Sequence, residues 1–209
     1  MRFLLFLLLN ACGGTHAAMP TQAAGSPPEG MAQAIFAGGC FWCMEKPFER
    51  MDGVISVESG YTGGLEKGPA YREVARGETS HFEAVRVVYS PSKITYAELL
   101  NVFWTNIDPT QSNGQFCDKG DQYRSALFVA NGDEQQAAES SKKAISERLG
   151  RAVVTPILPT STFWLAEEYH QDFYKKNPTR YKSYRAGCGR DRRLQQLWGH
   201  SAGHGAIQP

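Results

Sequence analysis

The sequence predicts an α+β domain, a sheet with helices packed on it and an irregular C-terminal segment. Three observations carry this. Apolar runs of strand period alternate with amphipathic stretches of helix period. The alternation follows no strict parallel strand–helix repeat, which sets it apart from a doubly wound α/β fold. The chain has 209 residues, enough for one good core, and shows no internal repeat.

The N-terminus stands outside that core. Arg2 and the apolar run 3–9 read as a targeting segment, too short to span a bilayer. Leu9-Asn10-Ala11-Cys12 resembles the lipobox of bacterial lipoproteins, which makes Cys12 the candidate lipidation site. Ordinary cleavage near Thr15-His16-Ala17-Ala18 is the alternative. Either way the expected location is exported, periplasmic or cell-envelope, with a lipid anchor to the membrane on the first reading. Residues 1–12 are thus expected to be signal, 13–31 a flexible Ala/Gly/Pro/Ser-rich tether, 32–199 the domain and 200–209 a disordered tail.

Within the domain, residues 34–36 read as a strand, followed by Gly38-Gly39 and a helix opened by Cys40. A thiol at a helix start meets unpaired N–H groups and the positive dipole end, which favour the thiolate. Phe41 and Trp42 place two apolar surfaces beside it. Cys40 is therefore a candidate reaction centre; a buried structural cysteine is the alternative. Pro47 is expected to kink or break the helix. Residues 54–61 alternate as a strand, and 65–76 read as a loop with some turn structure.

Residues 81–89 form the clearest strand. Glu83 falls on the face of Val85 and Val87, where desolvation raises a carboxyl pKa. Such a group can donate a proton at neutral pH; a half-exposed surface glutamate is the other reading. Thr95 and Glu98 form a capping box for a helix that Asp108-Pro109 stops. The polar, glycine-rich loop 108–121 carries Cys117 and Asp118. A strand over 125–130 and a helix from Asn131 to Leu149, closed by Gly150, come next. Residues 153–158 read as an edge strand broken by Pro156, and 166–177 as a helix. Beyond Pro178 the chain reads as basic and irregular, with Cys188 between Gly187 and Gly189.

Lysine plus arginine total 22 against 21 for aspartate plus glutamate, so the chain lacks the excess positive charge of a nucleic-acid binder. Arg185, Arg190, Arg192 and Arg193 cluster late in the chain and read as a solvated face at least as well as a contact for a polyanion. One C-x-x-C pair (Cys40, Cys43) plus Cys117 and Cys188 is a poor zinc signature, and no metal or cofactor is expected. The local alternative is a general thiol–disulfide oxidoreductase built on Cys40-Phe41-Trp42-Cys43.

Six blocks together resemble the A-type peptide methionine sulfoxide reductases. They are Gly39-Cys40-Phe41-Trp42, Gly60-Tyr61-Thr62-Gly63-Gly64, Tyr71-Arg72-Glu73-Val74, His81-Phe82-Glu83-Ala84-Val85, Gln122-Tyr123-Arg124-Ser125 and Glu168-Tyr169-His170-Gln171. They fall in the family's order over residues 35–177. The resemblance implies a two-layer α/β sandwich around a mixed sheet and reduction of methionine S-sulfoxide in peptides or proteins. It implies attack by Cys40, proton donation by Glu83, and Tyr71 and Tyr123 holding the sulfoxide oxygen. Phe41 and Trp42 then form the pocket for the S-methyl group, and Asp118 borders the site. It further implies a sulfenic acid cleared by a second thiol, with thioredoxin or a thioredoxin-like reductant as partner. The family commonly places that second thiol in the C-terminal segment, so Cys188 is the expected one, with Cys43 and Cys117 as alternatives.

Overall fold

The structure is a computed structural model that describes residues 21–203. The signal segment with Cys12, the tether up to residue 20 and the tail from residue 204 lie outside the described residues.

Six strands form one mixed sheet. They are β1 (Ala32–Gly38), β2 (Val54–Thr62), β3 (Phe82–Tyr89), β6 (Ser125–Val129), β7 (Ile157–Pro159) and β8 (Trp164–Leu165), in the order β7-β6-β1-β3-β2-β8. All neighbours are antiparallel except β6 and β7. A separate two-residue hairpin pairs β4 (Gly114–Gln115) with β5 (Asp118–Lys119). The helices are α1 (Trp42–Glu49), α2 (Tyr71–Ala75), α3 (Tyr96–Thr105), α4 (Gly132–Leu149), α5 (Phe173–Lys176), α6 (Pro178–Gly187) and α7 (Arg190–Trp198).

The two sheet faces follow from strand periodicity. Phe36, Val85 and Val87 point to the layer holding α1, α3 and α4, and bury against Phe48, Leu99, Phe103, Trp104 and Leu127. Ile35, Ala37, Phe82, Ala84, Ala126 and Phe128 point the other way and pack with Phe163. This is the expected α+β architecture. The signals at both ends of α3 and α4 act as read: Glu98 N–H bonds Thr95 Oγ1 at 3.3 Å, Glu134 N–H bonds Asn131 Oδ1 at 3.0 Å, and Gly150 closes α4 at φ +59°.

Five expectations change. Residues 21–25 do not hang free as tether: Ala23 bridges Trp164, Ala24 N–H bonds Phe163 O, and Thr21 is buried with its hydroxyl on Pro69 O. The open edge of β8 supplies unpaired backbone groups that even an Ala/Gly-rich segment can satisfy. Pro47 does not break α1, which runs through it to Glu49; the helix is too short to lose more than the Cys43 carbonyl partner. The loop over 65–76 contains α2, opened by a Glu73 carboxylate on Ala70 N–H. The helix expected over 166–177 is only the single turn α5, because Asp172 sits at φ +54°.

The C-terminal segment is not irregular. It forms α6 and α7, with Tyr181, Leu194 and Trp198 buried, and Trp198 Nε1–H bonding Ile107 O at 3.0 Å. Residues 199–203 stay with them: Ser201 is buried and Gly203 N–H bonds Thr105 O.

Candidate active site

The end of β1 delivers the chain into a tight turn. Gly39 takes φ +82°, and a Cβ there would lie 2.6 Å from the Gln115 Cβ, so the position excludes a side chain on both counts. Arg190, buried to 1 % exposure, braces the turn from behind through Nη2 to Gly38 O at 3.0 Å and Asn106 O at 2.8 Å. Cys40 follows, ahead of α1, and Cys43 lies within its first turn. Both thiols are free and buried.

A cavity of about 80 Å³ opens on Cys40. Its lining is Cys40, Phe41, Trp42, Tyr71, Glu83, Asp118, Tyr123 and Tyr184. The sequence-predicted residues Cys40, Glu83, Tyr71, Tyr123, Phe41, Trp42 and Asp118 therefore meet at one place, from β1, α1, α2, β3 and the hairpin region.

Glu83 is 2 % exposed, and its Oε2 accepts the Phe41 N–H at 3.1 Å. Burial raises its pKa to about 8 against that hydrogen bond, with Asp118, Cys43 and Glu167 adding in the same direction. It is a neutral acid at pH 7. Burial likewise raises Tyr71 to about 12 and pushes Tyr123 up further, so both phenols remain donors.

The sulfur pair differs from expectation. Burial pushes the Cys40 thiol up, helped by its hydrogen bond to Cys43 and the Glu83 charge. Cys43 is pulled down to about 6, first by the Cys40 hydrogen bond and then by Arg190 and Arg185. The two thiols titrate as a pair, and the hydrogen bond between them favours Cys43 over Cys40 as the place of the negative charge. Cys40 stands one residue before the cap of α1, and Cys43 two residues beyond it.

Around the aromatic wall, Trp42 Nε1–H donates to His170 Nδ1 at 3.0 Å, and the Trp42 ring stacks on Phe173 at 3.6 Å. Desolvation lowers His170 to about 4, so it stays neutral. Glu167 accepts the Tyr61 hydroxyl at 2.8 Å and the Tyr71 N–H at 2.9 Å, fixing the start of α2 beside the cavity.

Tyr184 was not expected. Its hydroxyl donates to Asp118 Oδ2, and its ring meets Trp42 edge-on at 5.8 Å. The i, i+3 spacing of Tyr181 and Tyr184 after Pro178 is the signal that points to it.

Cys188 and Cys117 are joined in a disulfide that ties the C-terminal cap of α6 to the β4–β5 hairpin. Cys117 is exposed and Cys188 half-buried. Of the three candidate resolving thiols, Cys188 and Cys117 are thus bonded to each other in this structure, while Cys43 is free and buried three residues from Cys40. Cys117, Asp118 and Cys188 also cluster within 4.8 Å as a nominal metal group, but two of the three donors are bonded to each other.

A thiol pair buried under a neutral carboxylic acid and two phenols defines a thiol-dependent oxidoreductase that acts on an oxygen-bearing small group. Known proteins make this specific. The peptide methionine sulfoxide reductase profile matches residues 32–202, and the chain belongs to that family. It is 48% identical over 200 residues to peptide methionine sulfoxide reductase MsrA 2 of Caulobacter vibrioides, covering 95% of this chain and 100% of that one. Mxr1 from Saccharomyces cerevisiae in reduced form matches with TM-score 0.70 and 34% identity, over 74% of this chain and 90% of that chain. A structure of Mxr1 in complex with Trx2 matches with TM-score 0.51 and 22% identity, over 72% and 89%, a likeness of fold alone.

Proposed function

We propose that the chain reduces the S epimer of methionine sulfoxide, in peptides and proteins, through Cys40, Glu83 and Cys43. The observation that carries this is the meeting of Cys40, Glu83, Tyr71 and Tyr123 around one small cavity. Phe41 and Trp42 give the S-methyl group an apolar wall, and Tyr71 and Tyr123 donate to the sulfoxide oxygen. Asp118, held by Tyr184, borders the entrance where a peptide backbone enters.

Cys40 attacks the electrophilic sulfur as its own proton passes to the Cys43 thiolate. Glu83 gives its proton to the oxygen, which otherwise leaves poorly. The products are methionine and a Cys40 sulfenic acid. Cys43 sulfur then attacks the Cys40 sulfur, its proton leaves with the hydroxyl as water, and a Cys40–Cys43 disulfide forms. Glu83 regains a proton from solvent. A dithiol reductant of thioredoxin type returns two electrons and two protons to the pair. A general thiol–disulfide oxidoreductase needs neither Glu83 nor the two phenols over its sulfur.

Residues 1–12 support export, and a lipid on Cys12 would make the reductant one that faces the same compartment. The test is an assay with separated S and R sulfoxides against Cys40→Ser. Methionine from the S epimer alone, none with Cys40→Ser, is the expected result. Peptide mapping after one turnover without reductant should find Cys40 linked to Cys43. A Cys40–Cys188 link would overturn the role given to Cys43. Globomycin-sensitive processing with lipid on Cys12 checks the anchor.

A further inference from the structure

A second cavity, about 500 Å³, shares no lining residue with the reacting pocket. It lies between α1, α6 and α7. Its charged lining is Lys46, Arg50, Lys182, Arg185 and Asp191, four cations against one acid. That acid is taken: Asp191 Oδ1 accepts from Arg185 Nη2 at 2.6 Å and from Nε at 2.8 Å. Lys46 Nζ sits 5.7 Å from the Tyr174 ring centroid and 5.9 Å from that of Tyr181. Partial burial, then Arg50, Arg185 and Lys182, hold the Lys46 ammonium below its usual range. Neither Arg50 nor Lys182 has an ion pair among the described residues.

Cations gathered around a concave wall with one engaged counter-charge concentrate anions there. A second observation narrows the ligand. Asn106 lines the same cavity, is fully buried, and gives Nδ2–H to Val102 O at 2.8 Å, while its Oδ1 has no donor. A buried acceptor without a donor is costly. A ligand hydroxyl or N–H would satisfy it.

We propose that this cavity binds a small polyanion, a compound with two or more carboxylate or phosphate groups and one hydroxyl or N–H donor. Lys46, Arg50, Lys182 and Arg185 hold the anionic groups, and Asn106 Oδ1 accepts from the donor. The site reaches the chemistry through α1. Cys43, Lys46 and Arg50 fall at i, i+3 and i+7 on one helix face, and the positive charge of Arg185 favours the Cys43 thiolate. An anion drawing on Arg185 removes positive potential from the Cys43 sulfur, so it slows disulfide formation. This consequence rests on the reading of Cys43 above; the binding does not.

The test is titration calorimetry of the full chain with citrate at constant ionic strength. Expected is saturable binding that weakens by about tenfold or more in Arg50→Ala/Lys182→Ala, which removes two charged contacts, one good one alone being worth about tenfold. Tricarballylate, which has the same three carboxylates without the hydroxyl, should bind several-fold more weakly. No saturable binding of citrate or inorganic pyrophosphate, or undiminished binding by the double variant, overturns the site. Equal binding of citrate and tricarballylate overturns the part given to Asn106. With citrate saturating and dithiothreitol as reductant, the methionine formed in a single turnover should be unchanged while steady turnover falls. An unchanged steady rate overturns the coupling and leaves the site standing.

Discussion

A carboxylate in water cannot protonate a sulfoxide oxygen at neutral pH. Glu83 can, because β3 places it on the helix-covered sheet face, where burial raises it to about 8. Turnover should therefore decline as pH rises through about 8, with Glu83 deprotonated before the substrate arrives. Glu83→Gln should lose roughly 10²–10⁴-fold in rate, the usual contribution of one positioned acid, and lose that alkaline limb as well. A rate–pH profile of wild type and variant, with circular dichroism to show that both fold, checks this; an unchanged rate removes Glu83 as the acid. All the pocket residues but Tyr184 were legible, two from local signals and the rest from the resemblance. Glu83 reads from strand alternation, Cys40 from the glycine turn, and Tyr71, Tyr123 and Asp118 from the joint motif pattern. The charge on the sulfur pair was not legible. It depends on the Cys40–Cys43 hydrogen bond and then on Arg190 and Arg185, which read as a solvated basic face and whose charges reach Cys43 in the fold.

At the scale of elements, the β1–α1 junction decides whether the pocket exists. Gly39→Ala forces a left-handed backbone on alanine and drives its Cβ into Gln115, whose side chain also holds the loop by accepting Asp108 N–H at 2.8 Å. The strained backbone alone costs on the order of 1–3 kcal/mol. A lower midpoint in urea together with lost turnover is expected, whereas Gly132→Ala, where a Cβ meets open space, should leave both near wild type. Thr95→Ala, by contrast, removes only the α3 cap and should cost about 1 kcal/mol without touching turnover. Strands β1, β2, β3 and β6 were readable from apolar period and helices α3 and α4 from their caps, whereas the two-residue strands β4, β5 and β8 are too short to show a period. Helices α6 and α7 were not: α6 buries only Tyr181, and α7 only Arg190, Leu194 and Trp198, so charge dominates their composition. The helical signals there were two pairs, Tyr181 with Tyr184 and Leu194 with Trp198. The Cys117–Cys188 link escaped for a related reason, since pairing needs the α6 cap brought to a hairpin 71 residues earlier.

Stability of the whole molecule should carry the mark of a second buried carboxyl. Glu45 on α1 has no exposure, and its Oε1 accepts the Ser59 hydroxyl at 2.9 Å and Asp172 N–H at 3.2 Å, while Oε2 has no partner. Burial raises its pKa to about 7 from 4.5. Between those values the folded state holds a proton that the unfolded state has released, so raising the pH through this window favours unfolding. Below about 4.5 both states are protonated and Glu45 contributes no slope; above about 7 the full cost is present. Other groups titrate in the same range, with neutral His170 acting in the opposite sense as pH falls below 6.5. The clean quantity is therefore the difference between wild type and Glu45→Gln. Glutamine keeps an acceptor for Ser59 and Asp172 but cannot ionise. Its stability relative to wild type should rise by about 3 kcal/mol between pH 4.5 and 8, at about 1.4 kcal/mol per pKa unit. Urea unfolding of both proteins across that range measures it. A difference that stays flat with pH would mean that Glu45 ionises in the folded protein as readily as it does in water.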